Sequence, residues 1–216
     1  MHIKTERLIV RSFMEQDAEA LLEIKYDEQV MKYHPTFFDE STERKANLDF
    51  IKVIISYFRG LADKGLIYDE RHLERGGLFA VCLKDSTDVI GVITLNRHTH
   101  ANEWHMGWYF LSQYTGMGYA SEASAAASDF FLESLSLDYI SAGMRDDNPA
   151  SFRTAQQSGF KLIEKRIGFD YNNADCNVED FSAVGEYFAK ALSHVGLSGY
   201  YFQKRSKQIK QDDDFS

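Results

Sequence analysis

Three β-rich runs crowd the middle of this chain, Leu78–Lys84, Val89–Asn96 and Trp104–Leu111, and directly after them the pattern switches to alternating helix and strand. The polar turn Asp85-Ser86-Thr87-Asp88 is too short for a crossover, so the first two runs pair antiparallel and a meander through the third follows. Beyond Leu111 come the loop Ser112 to Gly118, an Ala/Ser-rich helix Ala120–Leu135, a strand Asp138–Met144, a short helix Pro149–Ser158 closed by Gly159, and a strand Phe160–Gly168. A strand-helix-strand unit of this kind brings its strands back parallel. The sheet is therefore expected to be mixed.

The flanks fit the same plan. Arg7–Ser12 reads as a strand and Glu15–Tyr26 as a helix, with Ala18, Leu21, Leu22 and Ile24 near helical spacing. Thr42–Leu61 carries Leu48, Ile51, Ile55 and Phe58 along one face of a second helix. Glu179–Val195 reads as a further helix and Gly199–Gln203 as a closing strand. The expected class is α+β: a mixed, mostly antiparallel twisted sheet of six to seven strands, flanked by helices in three layers. With 216 residues and 44% apolar content the chain supports one sizeable core, so residues 1–216 are expected to form a single domain. Lys204–Ser216, cations followed by Asp212-Asp213-Asp214, reads as a frayed charged tail.

A formal charge of −9 argues against a surface that wraps nucleic acid. No stretch approaches the ~20 apolar residues of a bilayer span, and Met1–Arg7 has no apolar signal core, so no membrane partner is expected. Two cysteines, Cys82 and Cys176, form no disulfide framework, and a reducing, cytoplasmic setting is the expectation. His98, His100 and His105 lack carboxylate support at a familiar ligand spacing, so no metal site is expected.

Gly116-x-Gly118 is by itself common; a chain with 14 glycines holds about one such pair by chance. Its context carries more, because it lies between a strand and a helix start, where backbone N–H groups converge on an anion. The simpler reading is a tight turn that needs positive φ. No Lys-Ser/Thr follows it as in a nucleoside-triphosphate loop. A second constellation, Asp147-Asn148-Pro149-Ala150-Ser151, reads as an Asn N-cap with Pro at the first helical position, and it also sits where a parallel pair of strands admits a ligand.

Three ordered blocks then resemble one family. They are Thr5-Glu6-Arg7-Leu8-Ile9-Val10-Arg11 with Asp17-Ala18, Gly107-Trp108-Tyr109 with Gln113 to Ala123, and Asp147 to Ser151 with Ser158-Gly159-Phe160. Together they are similar to the GNAT superfamily of acetyl-coenzyme A dependent N-acetyltransferases, most of all to its ribosomal-protein N-terminal (alanine) acetyltransferases. The likeness covers residues 4 to about 168; the segment 170–195 departs from it as a divergent helical insertion.

The resemblance implies a sheet splayed between Trp104–Leu111 and Asp138–Met144, with the pantetheine arm in the gap. It implies that Trp108, Tyr109, Gln113, Tyr114, Thr115, Gly116, Met117, Gly118, Tyr119, Ala120, Asn148 and Ser151 bind acetyl-coenzyme A. It also implies an amine acceptor, a protein N-terminus or a small cationic amine (polyamine, amino acid or drug), or else an inactive coenzyme-binding module. The subgroup often carries a carboxylate two residues before the strand glycine, and here that position is His105. His105 is thus the candidate base, with Glu103, two residues earlier on the same strand face, as base or relay. Ser151 is the candidate hydrogen-bond donor to the departing thiolate, with Tyr139 or Tyr119 as substitutes, and a backbone N–H near Trp108 or Tyr109 would meet the oxyanion. Tyr26, Tyr33, Phe37 and Phe38 are expected on the acceptor side or in the core.

Overall fold

The computed structural model describes residues 1–33, 43–68, 77–98, 103–166 and 199–207. Eight strands form one sheet in the order β1-β2-β3-β4-β5-β6-β8-β7. They are β1 His2–Lys4, β2 Leu8–Ser12, β3 Gly77–Leu83, β4 Val89–His98, β5 Glu103–Phe110, β6 Tyr139–Arg145, β7 Lys161–Arg166 and β8 Gly199–Arg205. The helices are α1 Ala18–Tyr26, α2 Glu28–Met31, α3 Arg44–Ala62, α4 Tyr119–Ser134 and α5 Pro149–Gln157. Strands β1 to β5 run antiparallel to one another, β5 and β6 are parallel, and β8 pairs antiparallel with both β6 and β7. The mixed, mostly antiparallel sheet and flanking helices read from the sequence are therefore present.

Two cores sandwich the sheet. On one face Ala123, Ala127 and Phe131 of α4 recur every four residues and pack with Ala155 of α5 against Val81, Ile93, Met106 and Phe110. The alanines keep α4 close to the strands. On the other face Leu21, Leu22 and Ile24 of α1 and Ile51 and Ile55 of α3 cover Ala80, Cys82, Val92 and Tyr109. Along β5 the alternation is visible directly, Met106 and Phe110 facing α4 and Tyr109 facing α1.

Some details differ from the sequence reading. The sheet has eight strands rather than six to seven, because His2–Lys4 adds an edge strand on β2 too short to leave a periodic signal. The first helix opens as a 3-10 turn at Glu15–Asp17, where Asp17 accepts Met14 N (2.7 Å) and pairs in a fork with Arg11 (2.6 and 3.0 Å). The charged C-terminal segment is not frayed at its start. Lys204 lies in β8 with its ammonium 2.8 Å from Asp129 and 2.8 Å from Ser128 Oγ. The helix expected at Glu179–Val195, the residues after Lys207, and Phe37, Phe38, His100 and Cys176 lie outside the described residues.

Candidate functional site

β5 and β6 are neighbours in the sheet, yet their ladder holds only one pair, His105↔Ser141. By contrast β4 and β5 stay in register from Gly91↔Phe110 to His98↔Glu103. A strand rises about 3.3 Å per residue, so β5 continues some 17 Å beyond the bridge to Phe110 with no ladder to β6. The result is a wedge closed at His105 and Ser141 and open toward the C-terminal ends of both strands.

At the open end β5 runs into a 3-10 turn, Ser112–Tyr114, which includes Gln113, and then into the exposed loop Thr115 to Gly118. Gly116 (φ 84°) and Gly118 (φ 80°) both take the left-handed conformation, so the tight-turn reading holds and the N-terminus of α4 is presented to solvent. Tyr119 and Ala120 begin that helix, half-buried. A clamp from the β1–β2 connection fixes the loop: Arg7 donates to Met117 O (2.9 Å) and to Glu122 Oε2 (2.7 Å), and its guanidinium lies over the Tyr119 ring. Thr5 Oγ1 and Arg7 N both donate to Glu122 Oε1. Partial burial pushes the Glu122 carboxyl up, but these donors outweigh it and hold it below its ordinary range. Arg7 and Glu122 belong to separate sequence blocks; their pairing joins the β1–β2 connection to α4 and leaves no local signal.

The β6–α5 turn completes the open end. Asn148 is buried and caps α5, its Oδ1 accepting Ser151 N at 3.1 Å, which leaves the carboxamide nitrogen outside the cap. Ser151 is half-buried in the first turn of α5. Arg145 forks onto Asp147 (2.9 and 2.7 Å), and Tyr33 OH donates to Asp147 O at 2.9 Å, tying this turn to the segment after α2. Asp27 in turn accepts Ser112 N at 2.7 Å, so the α1–α2 corner is fastened to the start of the glycine loop. Tyr26 accepts from Asn47 Nδ2 at 2.7 Å and supports the contact of α1 with α3.

At the closed end Glu103 and His105 meet, as their shared strand face requires. Ser141 bridges them: its hydroxyl donates to Glu103 Oε1, and its oxygen stands 3.1 Å from His105 Nδ1. Tyr201 OH donates to Glu103 Oε2 at 2.7 Å and accepts from Gln203 Nε2 at 2.9 Å. Burial, with Glu103 alongside, pushes the Tyr201 phenol up to about 12 and raises that of Tyr139 as well. Neither tyrosine is ready to lose its proton near neutrality. Ser151 stands at the other end of β6 from this cluster, so the structure brings Glu103 and His105 together and keeps Ser151 apart from their hydrogen bonds. Ser141, Tyr201 and Gln203 went unmarked in the sequence; small or polar residues at alternate strand positions read there as ordinary strand.

On the α1 face Lys25 is only 9% exposed and lies over the Tyr109 ring, 4.5 Å from its centroid. Burial lowers its ammonium to about 8 and raises the Tyr109 phenol beyond the usual range. Cys82 is buried, its thiol pushed up to about 11 by burial, a core residue rather than a nucleophile. Trp108 points to the opposite core and packs on Phe160 at 6.1 Å. Among the described residues no three His, Cys, Asp or Glu side chains are grouped to hold a metal, and no helix is long and apolar enough to cross a membrane.

The sequence profile of the acetyltransferase (GNAT) domain matches residues 7–161, well over half the chain. The chain belongs to the GNAT acetyltransferase family. An uncharacterized N-acetyltransferase of Bacillus subtilis, YnaD, is 29% identical over 161 residues, which cover 74% of this chain and 83% of that protein. Among solved structures, a GNAT-family acetyltransferase from Bacillus anthracis superposes with a TM-score of 0.65 at 22% identity, covering 95% of this chain and 98% of the other. RimL, a ribosomal L7/L12 α-N-protein acetyltransferase solved with coenzyme A, gives a TM-score of 0.64 at 15% identity over 95% and 98% of the two chains. This GNAT acetyltransferase is thus an enzyme of acetyl transfer, and the wedge between β5 and β6 is its candidate site.

Proposed function

We propose that the chain works as one domain that transfers an acetyl group directly from acetyl-coenzyme A to a primary amine, with a protein N-terminal α-amine as the acceptor. The observation that carries this reading is the wedge itself, with a rigid left-handed glycine loop at its mouth and a base-bearing cluster at its apex. The residues fit the co-substrate. Amides of Gln113 to Ala120 suit an anionic pyrophosphate, the gap along Met106–Phe110 suits an extended pantetheine arm, and the spare carboxamide nitrogen of Asn148 suits its carbonyls. Trp108 has its backbone N–H on the side of that gap, available to the developing oxyanion, whereas the N–H of Tyr109 faces β4.

In this mechanism His105 takes the proton of the amine as the new C–N bond forms and the thioester C–S bond breaks, with Glu103 supporting it. Ser151 gives the departing sulfur a hydrogen bond; a serine hydroxyl is too weak an acid to protonate it alone. An α-amine with pKa near 8 is about a tenth neutral at pH 7, whereas a lysine side chain is neutral at only a few parts in ten thousand, so one imidazole suffices for the former. RimL, an α-N-protein acetyltransferase of the same fold, supports the same choice. The chain's charge of −9 favours an acceptor that is cationic overall.

The test is thiol release from acetyl-coenzyme A with peptides bearing free Ala, Ser or Met N-termini, against spermidine, free amino acids and an aminoglycoside. Turnover of peptides above the small amines is expected. Faster turnover of spermidine or another small amine would move the acceptor to that class, and no turnover with any amine would leave a coenzyme-binding module. A covalent acetyl-enzyme competent to react onward would overturn direct transfer.

A further inference from the structure

We propose that Ser141 and Glu103 are positioning residues that hold His105 as its Nδ1–H tautomer, making Nε2 the ring nitrogen that receives the acceptor's proton. This rests on His105 being the proton acceptor proposed above, and it adds the identity of the nitrogen and of the groups that fix it.

The argument is a proton count at one hydroxyl. Ser141 owns a single hydroxyl proton and is fully buried, so water does not compete for it. Two oxygens lie within its reach as acceptors, Glu103 Oε1 and, at 3.2 Å, the carbonyl of Trp104. The charge-assisted partner is the stronger. A hydroxyl proton committed to that carboxylate, rather than to a neutral ring nitrogen, leaves Ser141 Oγ facing His105 Nδ1, 3.1 Å away, with lone pairs only, so Nδ1 is the donor of that pair. A neutral imidazole with Nδ1–H carries its basic lone pair on Nε2.

The remaining contacts keep this chain in order. Glu103 and His105 are fixed two residues apart on β5, Ser141 belongs to β6 at the one position where the strands pair, and Tyr201 and Gln203 hold the second carboxylate oxygen from β8. Four polar side chains from three strands thus form one hydrogen-bonded chain that ends at His105 Nδ1. Among the described residues, the titratable groups around the cluster include Glu103 on β5, Tyr139 on β6 and Tyr201 on β8. When Nε2 takes the amine proton, the imidazolium charge lies one hydroxyl away from the Glu103 carboxylate. The electron pair of the broken C–S bond stays on sulfur, the imidazolium returns its proton to water, and the thiolate is protonated from there. Acetyl donor and amine go to amide and thiol with no proton left over.

The tautomer is read without substrate, by nitrogen-15 spectroscopy of the histidine rings in the full chain above the pH at which the ring is neutral, with His105→Gln assigning the signals. The expected His105 pattern is a protonated-type Nδ1 and an unprotonated-type Nε2, collapsing toward the tautomer-averaged pattern in Ser141→Ala. A wild-type ring protonated on Nε2, or a Ser141→Ala ring with an unchanged pattern, overturns the proposal. Two kinetic arms use the fastest peptide of the acceptor panel. Ser141→Ala should lower kcat about 10- to 100-fold with the KM for acetyl-coenzyme A unchanged. Glu103→Gln, which keeps an acceptor oxygen for Ser141, should preserve the tautomer yet lower kcat by a similar factor; a Glu103→Gln enzyme as fast as wild type would remove the carboxylate from the proposal. If His105→Gln leaves kcat intact, it is His105 as base that fails, whatever the ring tautomer.

Discussion

The two sides of β5 behave differently. Toward β4 it is zipped along its length, from Gly91↔Phe110 to His98↔Glu103, whereas toward β6 it is pinned at His105↔Ser141 alone. The zipped side is lined by Val92, Ile93 and Leu95, all fully buried, and its role is to hold shape. The parted side gathers polar residues at its apex and backbone donors at its mouth. A backbone edge with no ladder must find its hydrogen bonds elsewhere, and a ligand with amides and carbonyls of its own supplies them. The comparison teaches that a ladder reduced to one pair opens a cleft in an otherwise continuous sheet, the cleft proposed above to take the co-substrate.

If that division is real, damage on the parted side should cost catalysis and damage on the zipped side should cost stability. The largest effect is expected for His105→Ala, a fall in kcat of about 10²- to 10³-fold with the melting temperature within a few degrees of wild type, checked by steady-state kinetics and calorimetry. Next comes Asp17→Ala on the far side of the sheet, which strands the half-buried Arg11 guanidinium and the Met14 N–H and should cost about 2 kcal/mol in denaturant unfolding while the affinity for acetyl-coenzyme A stays the same.

Lys25 sharpens the comparison through pH. Its folded pKa of about 8 lies below the ordinary 10.5, so the unfolded chain binds the proton more readily. Stability should therefore rise between about pH 8 and 10.5, with the burial cost fully present below pH 8. Lys25→Met should gain on the order of 2 kcal/mol at pH 7, a gain that shrinks toward pH 10.5, measured by urea unfolding across that range. The smallest effect is expected for Arg7→Ala. Loss of the clamp on Met117 O and Glu122 should weaken acetyl-coenzyme A binding several-fold, about 1 kcal/mol, by loosening the loop.

How much of this was legible in the sequence follows the range of the forces involved. The meander, the crossover helices, the left-handed glycines and the Asn148 cap are set by residues within a few positions of each other, and periodicity or turn chemistry shows them. Glu103 and His105 as a pair were visible too, because i and i+2 on a strand share a face. Ser141, Tyr201 and Gln203 were not, since what joins them to Glu103 is strand order, with β8 inserted between β6 and β7. The Arg7–Glu122 clamp was hidden for the same reason, being a contact across 115 residues of chain. Lys25 was not singled out, because burial of an ammonium over an aromatic ring leaves no mark in spacing.

The most direct test of the cleft is a calorimetric titration of the purified protein with acetyl-coenzyme A, repeated on Gly118→Trp and paired with hydrogen exchange of the gap-facing amides of Trp108 and Phe110. The account predicts micromolar binding, loss of that binding in the variant, and slowed exchange along β5 when the co-substrate is present. A folded wild-type protein that binds no acetyl-coenzyme A, or that binds it with the β5 amides unchanged, would contradict it.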